Sequence, residues 1–157
     1  MTKIRRVGTV LATALGAVLL AGSVTLPAFA ALGGDAASVD TDAAKMKGQA
    51  RAMAVSGYTV KEITLPSGTV VREYVSAEGK VFAVTWKGMS QPDLQQTLGT
   101  YFEQYKAAAT APHAGHHHLT IHQPELVVSS GGHMRAWSGR AYVPALLPPS
   151  FSVDDIQ

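Results

Sequence analysis

Residues 58–88 read YTVKEITLPSGTVVREYVSAEGKVFAVTWKG, and this stretch decides the fold. Three runs rich in β-branched and aromatic residues, YTVKEITL, TVVREYV and KVFAVTW, are separated by PSG (66–68) and SAEG (76–79), both turn compositions. Connections this short join only antiparallel neighbours, so the stretch is a three-stranded meander. In the third run Phe82, Val84 and Trp86 alternate with Val81, Ala83, Thr85 and Lys87. The aromatic set is expected to face the core. Arg72, Glu73, Glu62 and Glu78 fit cross-strand ion pairs on a solvated face better than acid–base chemistry.

C-terminal to the meander the period becomes helical. Ser90, Pro92 and Asp93 supply a hydroxyl cap, a first-turn proline and an early acid. Leu94, Leu98, Phe102 and Tyr105 then recur at spacings of four, four and three, one apolar stripe able to cover a sheet face. The helix should fade in Ala107–Ala109 and stop before Pro112. Beyond it, LVVSS (126–130), a turn at Gly131–Gly132 and the run from Met134 to Val143 predict a hairpin, with Gly139 as a bulge. Pro148 and Pro149 end regular structure and leave residues 149–157 as a tail. The aromatics Tyr74, Trp86, Tyr101, Tyr105, Trp137 and Tyr142 are expected to pack in the core and on the sheet face rather than line a ligand groove.

N-terminal to the meander, residues 31–57 are rich in Ala, Gly, Ser and Asp and read as a flexible lead with a weak helix from Asp40 or Thr41 to about Val55, ending near Gly57. Residues 1–30 are of another kind. Lys3, Arg5 and Arg6 precede an uncharged segment from Val7 to Gly34, and Ala28 and Ala30 fit the small-x-small pattern of a signal-peptidase site. The uncharged run is long enough to span a bilayer, but Gly8, Gly16, Gly22, Ser23 and Pro27 dilute it, so a cleaved signal peptide is the expectation rather than an anchor. Cleavage after Ala30 leaves 127 of the 157 residues, a single α+β domain over residues 58–148 preceded by the lead, in the periplasm or outside the cell with no stable membrane span.

The charge balance then changes sign. The full chain has 13 basic and 11 acidic residues, a formal net charge of +2. Without Lys3, Arg5 and Arg6, 10 basic residues stand against 11 acidic, a net of −1. A near-neutral chain lacks the basic stripe that phosphate neutralisation needs, so nucleic acid is not an expected partner. With no cysteine, structural disulfides, Cys-ligated zinc, iron–sulfur clusters, thiol nucleophiles and lipoprotein anchoring are all excluded. Five or six strands are too few for an outer-membrane barrel.

Histidines supply the main chemical candidates. His113, His116, His117, His118 and His122 lie within ten positions, and an extended 116–122 segment would put His116, His118 and His122 on one side with Thr120. His113, His116, His118 and His122 are therefore candidate ligands for Zn, Ni or Cu, the alternative reading being a His-rich solvated loop between Pro112 and Pro124. His133 with Ser129 or Ser130 can be drawn as part of a hydrolase triad, although turn chemistry accounts for the same residues, and no G-x-S-x-G, H-E-x-x-H or phosphate-loop motif is present.

The stretches GYTVKEITLPSGTVVREYV (57–75), KVFAVTWKG (80–88), PDLQQTLGTYFEQY (92–105) and LVVSSGGHMRAWSGRAYVPALLP (126–148), with ALGG at 31–34, resemble a family of small exported proteins of Gram-negative bacteria classed as a domain of unknown function. The resemblance implies an exported single-domain protein and brings no catalytic or ligand residues with it. The His run lies outside the matching stretches, in a connection. The sequence thus points to a non-enzymatic module that binds an envelope protein or cell-surface component through a sheet edge or the C-terminal hairpin, with His133, Arg135, Trp137, Arg140 and Tyr142 as contact residues. A metal-binding protein and, more weakly, a hydrolase are the alternatives.

Overall fold

A computed structural model describes residues 31–111 and 118–156. The expected signal peptide, and His113, His116 and His117 of the histidine run, lie outside the described residues.

The meander forms as read: β2 (Tyr58–Thr64), β3 (Val70–Ser76) and β4 (Val81–Gly88) pair antiparallel. It is part of a larger sheet, however, in which seven strands among the described residues lie in the order β1-β2-β3-β4-β7-β6-β5, every pair antiparallel. The expectation of a meander plus a hairpin is corrected at both margins. On one side, the helix expected to reach Val55 stops early: α1 covers Val39–Lys45, and β1 (Gln49–Val55) pairs with β2 over its whole length. Alanines favour a helix here, but Ser56 and Gly57 form a two-residue turn with Gly57 at φ +89°, and the paired strand overrides that propensity. On the other side β5 (His118–His122) adds to β6 (Val127–His133), which pairs with β7 (Ala136–Tyr142).

The hairpin turn also moves. Gly131 and Gly132 stay inside β6, opposite Ser138 and Trp137, and Met134–Arg135 make the turn with Arg135 at φ +70°. A turn at Gly131–Gly132 would have set Val128 opposite Arg135. The observed register sets it opposite Ala141, and both are fully buried. Gly139 makes no bulge, being in register with both Trp86 and Ser130.

One sheet face carries the helices. Asp93, not Ser90, caps α2 (Leu94–Leu98), its carboxylate accepting from the backbone N–H of Gln95 at 2.9 Å and Gln96 at 3.2 Å. Gly99, at φ +53° and ψ −122°, breaks the run into a 3₁₀ turn before α3 (Phe102–Thr110). Leu94 and Leu98 are buried, and Phe102 and Tyr105 pack at the margin, against a layer that includes Ile63, Val71, Val84, Trp86, Val128 and Ala141. Glu73 shares this face with Val71 and Val75; it is 1% exposed and opposite Lys61, not on the solvated face expected for it.

The second face holds a smaller apolar cluster. The register slips between Tyr74 and Val75, where Val75 pairs with Val81 and Tyr74 with Ala83. This bulge turns Phe82 away from Val84 and Trp86, against expectation, and into contact with Tyr74 and Tyr58. The expected tail covers them. Phe151 meets the rings of Phe82 at 4.7 Å and Tyr58 at 5.1 Å, both edge to face, and Ile156 is 4% exposed. No helix among the described residues is long and apolar enough to cross a membrane.

Candidate functional site

Continuous pairing lines up residues on the second face in rows that cross all seven strands. The first row, Met53, Val60, Tyr74, Ala83, Tyr142, Val127 and His122, is mostly apolar, and its Met53-to-Tyr142 part forms a cluster with Leu146, Leu147, Phe151, Val153 and Ile156. The next row runs Arg51, Glu62, Arg72, Thr85, Arg140, Ser129 and Thr120. A third follows: Gln49, Thr64, Val70, Lys87, Ser138, Gly131 and His118. The second and third rows are polar but for Val70 and Gly131, contain no Phe, Tyr or Trp, and form a cation-lined half-face.

Among the described residues of these two rows, Arg51, Arg72, Lys87 and Arg140 face one carboxylate, Glu62. That carboxylate bridges two of them, with Oε2 2.9 Å from Arg72 Nε and Oε1 3.1 Å from Arg51 Nη2. Lys87 and Arg140 are exposed and join no ion pair among the described residues. The surface is not flat here. A depression of about 450 Å³ is lined by Arg140, Thr85, Ser129, Ser138 and His118, among others. A second, of about 160 Å³, is lined by Val70, Arg72, Thr85 and Lys87. Thr85 belongs to both, so the two depressions adjoin along β4.

The five contact residues expected from the sequence do not form one patch. Arg140 stands in the arginine row, while Tyr142 is half-buried in the apolar row. Trp137 points to the helix side, in register with Gly88 and Gly132. His133 is exposed at the end of β6, its Nδ1 3.3 Å from the Met134 carbonyl oxygen, and Arg135 occupies the exposed turn with Nη2 3.9 Å from Met89 Sδ. Sequence reasoning misses Arg51 and Lys87 as surface-forming residues and reads Arg72 only as an ion-pair partner. The signal that finds them is the parity of each strand combined with register, not any motif.

The chemical alternatives meet the same geometry. His118 and His122 lie on one side of β5 with Thr120, as expected, and His118 Nε2 is 2.9 Å from Thr120 Oγ1. Four residues of extended chain separate the two histidines by about 13 Å, whereas two nitrogens on one ion lie about 4 Å or less apart. Among the described residues no group of three or more His, Asp or Glu is placed to hold a metal. Ser129 and His133 are likewise four residues apart on β6, about 13 Å, and Ser130 faces the opposite side. The strand therefore does not bring a serine hydroxyl to His133.

Residues 28–156 match a family model described as a protein of unknown function, DUF2844. No curated protein and no solved structure matches the chain.

Proposed function

The chain belongs to the DUF2844 family, and from that premise we propose that it is an exported, non-enzymatic binding module which holds a component of the cell envelope on the cation-lined half of its second face. One observation carries the reading. A chain with a net charge of −1 after residue 30 concentrates four of its 10 remaining cations in two adjacent sheet rows against a single carboxylate. Segregation of that kind generates a local field that the net charge conceals, and it raises the encounter rate with a ligand of opposite sign. In this reading the basic leader is removed after Ala30 and the mature chain works in the periplasm or outside the cell.

Fractionation of cells expressing the full chain tests it. The mature protein should begin at Ala31, leave the cytoplasm, and co-sediment with envelope material. Arg140→Gln and Lys87→Gln together should move it to the soluble fraction, while Lys106→Gln on the helix side should not. A chain that keeps its leader in the cytoplasm, or whose retention ignores Arg140 and Lys87, overturns the reading.

A further inference from the structure

Resting on that reading, we propose that the ligand of the cation-lined half-face is a linear acidic polysaccharide, laid across the strands with its carboxylates on the basic side chains. The first argument is spacing. Arg51, Arg72 and Arg140 share one register row on β1, β3 and β7, which are the first, third and fifth strands across the sheet. Strand separation puts their backbones about 10 Å apart in sequence across the sheet. An extended chain of 1,4-linked sugars advances by about that distance every two residues, so a uronic acid at each repeat comes over one of the three arginines, of which Arg51 and Arg72 also share the Glu62 carboxylate and Arg140 joins no ion pair among the described residues. Lys87, in the adjacent row and lining the same depression as Arg72, adds a cation beside this line.

The second argument is what stands between the cations. Ser129 and Thr120 in the arginine row and Ser138 beside them present hydroxyl groups at the surface, and Ser129 and Ser138 line the larger depression with Arg140. Hydroxyls donate to and accept from sugar hydroxyls, and a guanidinium takes a carboxylate in a two-bond fork.

Other polyanions fit less well. A single-stranded nucleic acid stacks its bases on aromatic platforms, and neither open row contains a Phe, Tyr or Trp. An anionic bilayer surface is held by apolar side chains inserted beside the charges, and the apolar row of this face is occupied by Phe151, Val153 and Ile156. An acidic peptide that binds as an added strand needs an open sheet edge, and the backbone groups under Arg72, Lys87 and Arg140 are already paired on both sides.

The test uses the mature protein with polygalacturonate of defined length, and with neutral dextran, poly-glutamate and single-stranded DNA of matched charge. The expected result is binding to polygalacturonate that weakens as salt is raised, no binding to dextran, and weaker binding to the other two polyanions. Arg140→Gln and Lys87→Gln should each lower the polygalacturonate affinity by about tenfold, with unchanged melting temperature because both side chains are exposed. Lys106→Gln should bind as wild type. Failure to bind polygalacturonate, tighter binding to poly-glutamate or DNA, or an affinity indifferent to Arg140 and Lys87 overturns the proposal. Envelope retention that still depends on Arg140 and Lys87, with no polygalacturonate binding, overturns the polysaccharide alone and leaves the binding module standing.

Discussion

The indole of Trp86 lies across Gly139: a Cβ built on that glycine would come within 2.2 Å of Trp86 Cζ2 and 2.4 Å of Cε2. The two residues are register partners on β4 and β7, at the seam between the meander and the C-terminal hairpin. Trp86 is 2% exposed, so the ring has nowhere to go. Gly139→Ala should therefore destabilise the protein by about 2–3 kcal/mol through overpacking, measured as a fall in the urea midpoint with unchanged slope. Combined with Trp86→Leu, the alanine should cost much less than it does alone, because the atoms it strikes are gone. Additive costs would show that the contact does not govern the seam.

This pair also marks what could be read from the chain. Alternation in residues 58–88 yields the meander, and the Leu94, Leu98, Phe102, Tyr105 stripe yields the helix side, because both patterns are local. Phe82 lies on the face opposite to the one that alternation predicts, because one bulge at Tyr74/Val75 inverts parity and no residue there announces it. β1 was hidden in an alanine-rich segment whose strand character comes from its partner. The arginine row was illegible for a related reason. Arg51, Arg72 and Arg140 are up to 89 positions apart, and only the register of a sheet assembled from both halves of the chain puts them in line.

The segment that follows the expected cleavage site is built into the fold. Ala31 and Leu32 are 2% and 1% exposed; Leu32 N–H donates to Thr97 O at 3.2 Å and Gly33 N–H to Val81 O at 2.8 Å. A chain starting at Asp35 should lose about 3 kcal/mol, chiefly the burial of Leu32, and melt about 10 °C lower. Gly99→Ala should do comparable damage, since its Cβ would stand 2.2 Å from that of Ala31 and its backbone suits glycine alone. Ala31→Gly in that background should relieve the clash but not the backbone strain. Thermal melts of wild type, Gly99→Ala, Ala31→Gly and the double variant separate the two contributions.

Phe151 closes the aromatic cluster on the second face, edge-on to Phe82 and Tyr58. Phe151→Ala should cost about 2–3 kcal/mol, at the lower end for a phenylalanine because the side chain is only half-buried. It should also weaken the near-ultraviolet circular dichroism of the tyrosines while leaving the far-ultraviolet spectrum unchanged. If stability and spectrum both stay at wild-type values, the C-terminal segment is not docked in solution.

Tyr58, in the same cluster, has its hydroxyl pKa raised above the usual tyrosine value of 10.0, first by burial and then by the negative charge of Asp155 and the neighbouring Tyr74. The folded state therefore holds the proton more tightly than the unfolded chain. Its contribution to stability is intact below pH 10 and is lost as pH rises beyond it, where the unfolded chain ionises first. Denaturation at pH 8 and pH 11 should show wild type losing more stability across that interval than Tyr58→Phe, which has no proton to give up. Equal losses would remove Tyr58 as the origin of alkaline sensitivity.

Glu62 is the one carboxylate in the arginine row, 12% exposed and bonded to both Arg51 and Arg72. Its charge is the main local opponent of any anion laid across the sheet. Glu62→Gln keeps the shape and one acceptor oxygen while removing that charge, so two opposed effects follow. Stability should fall by about 1 kcal/mol, because the two arginines are then neighbours without a counter-ion, although both are substantially exposed and the pair is screened. Affinity for polygalacturonate should rise by several-fold at low salt and converge on wild type as salt is raised, because removing an opposing charge acts over no more than a Debye length. Parallel binding and denaturation series of wild type and Glu62→Gln read both effects. A variant that binds the polyanion less tightly would mean that Glu62 serves to position the arginines rather than to oppose the ligand, and the repulsion argument would be wrong.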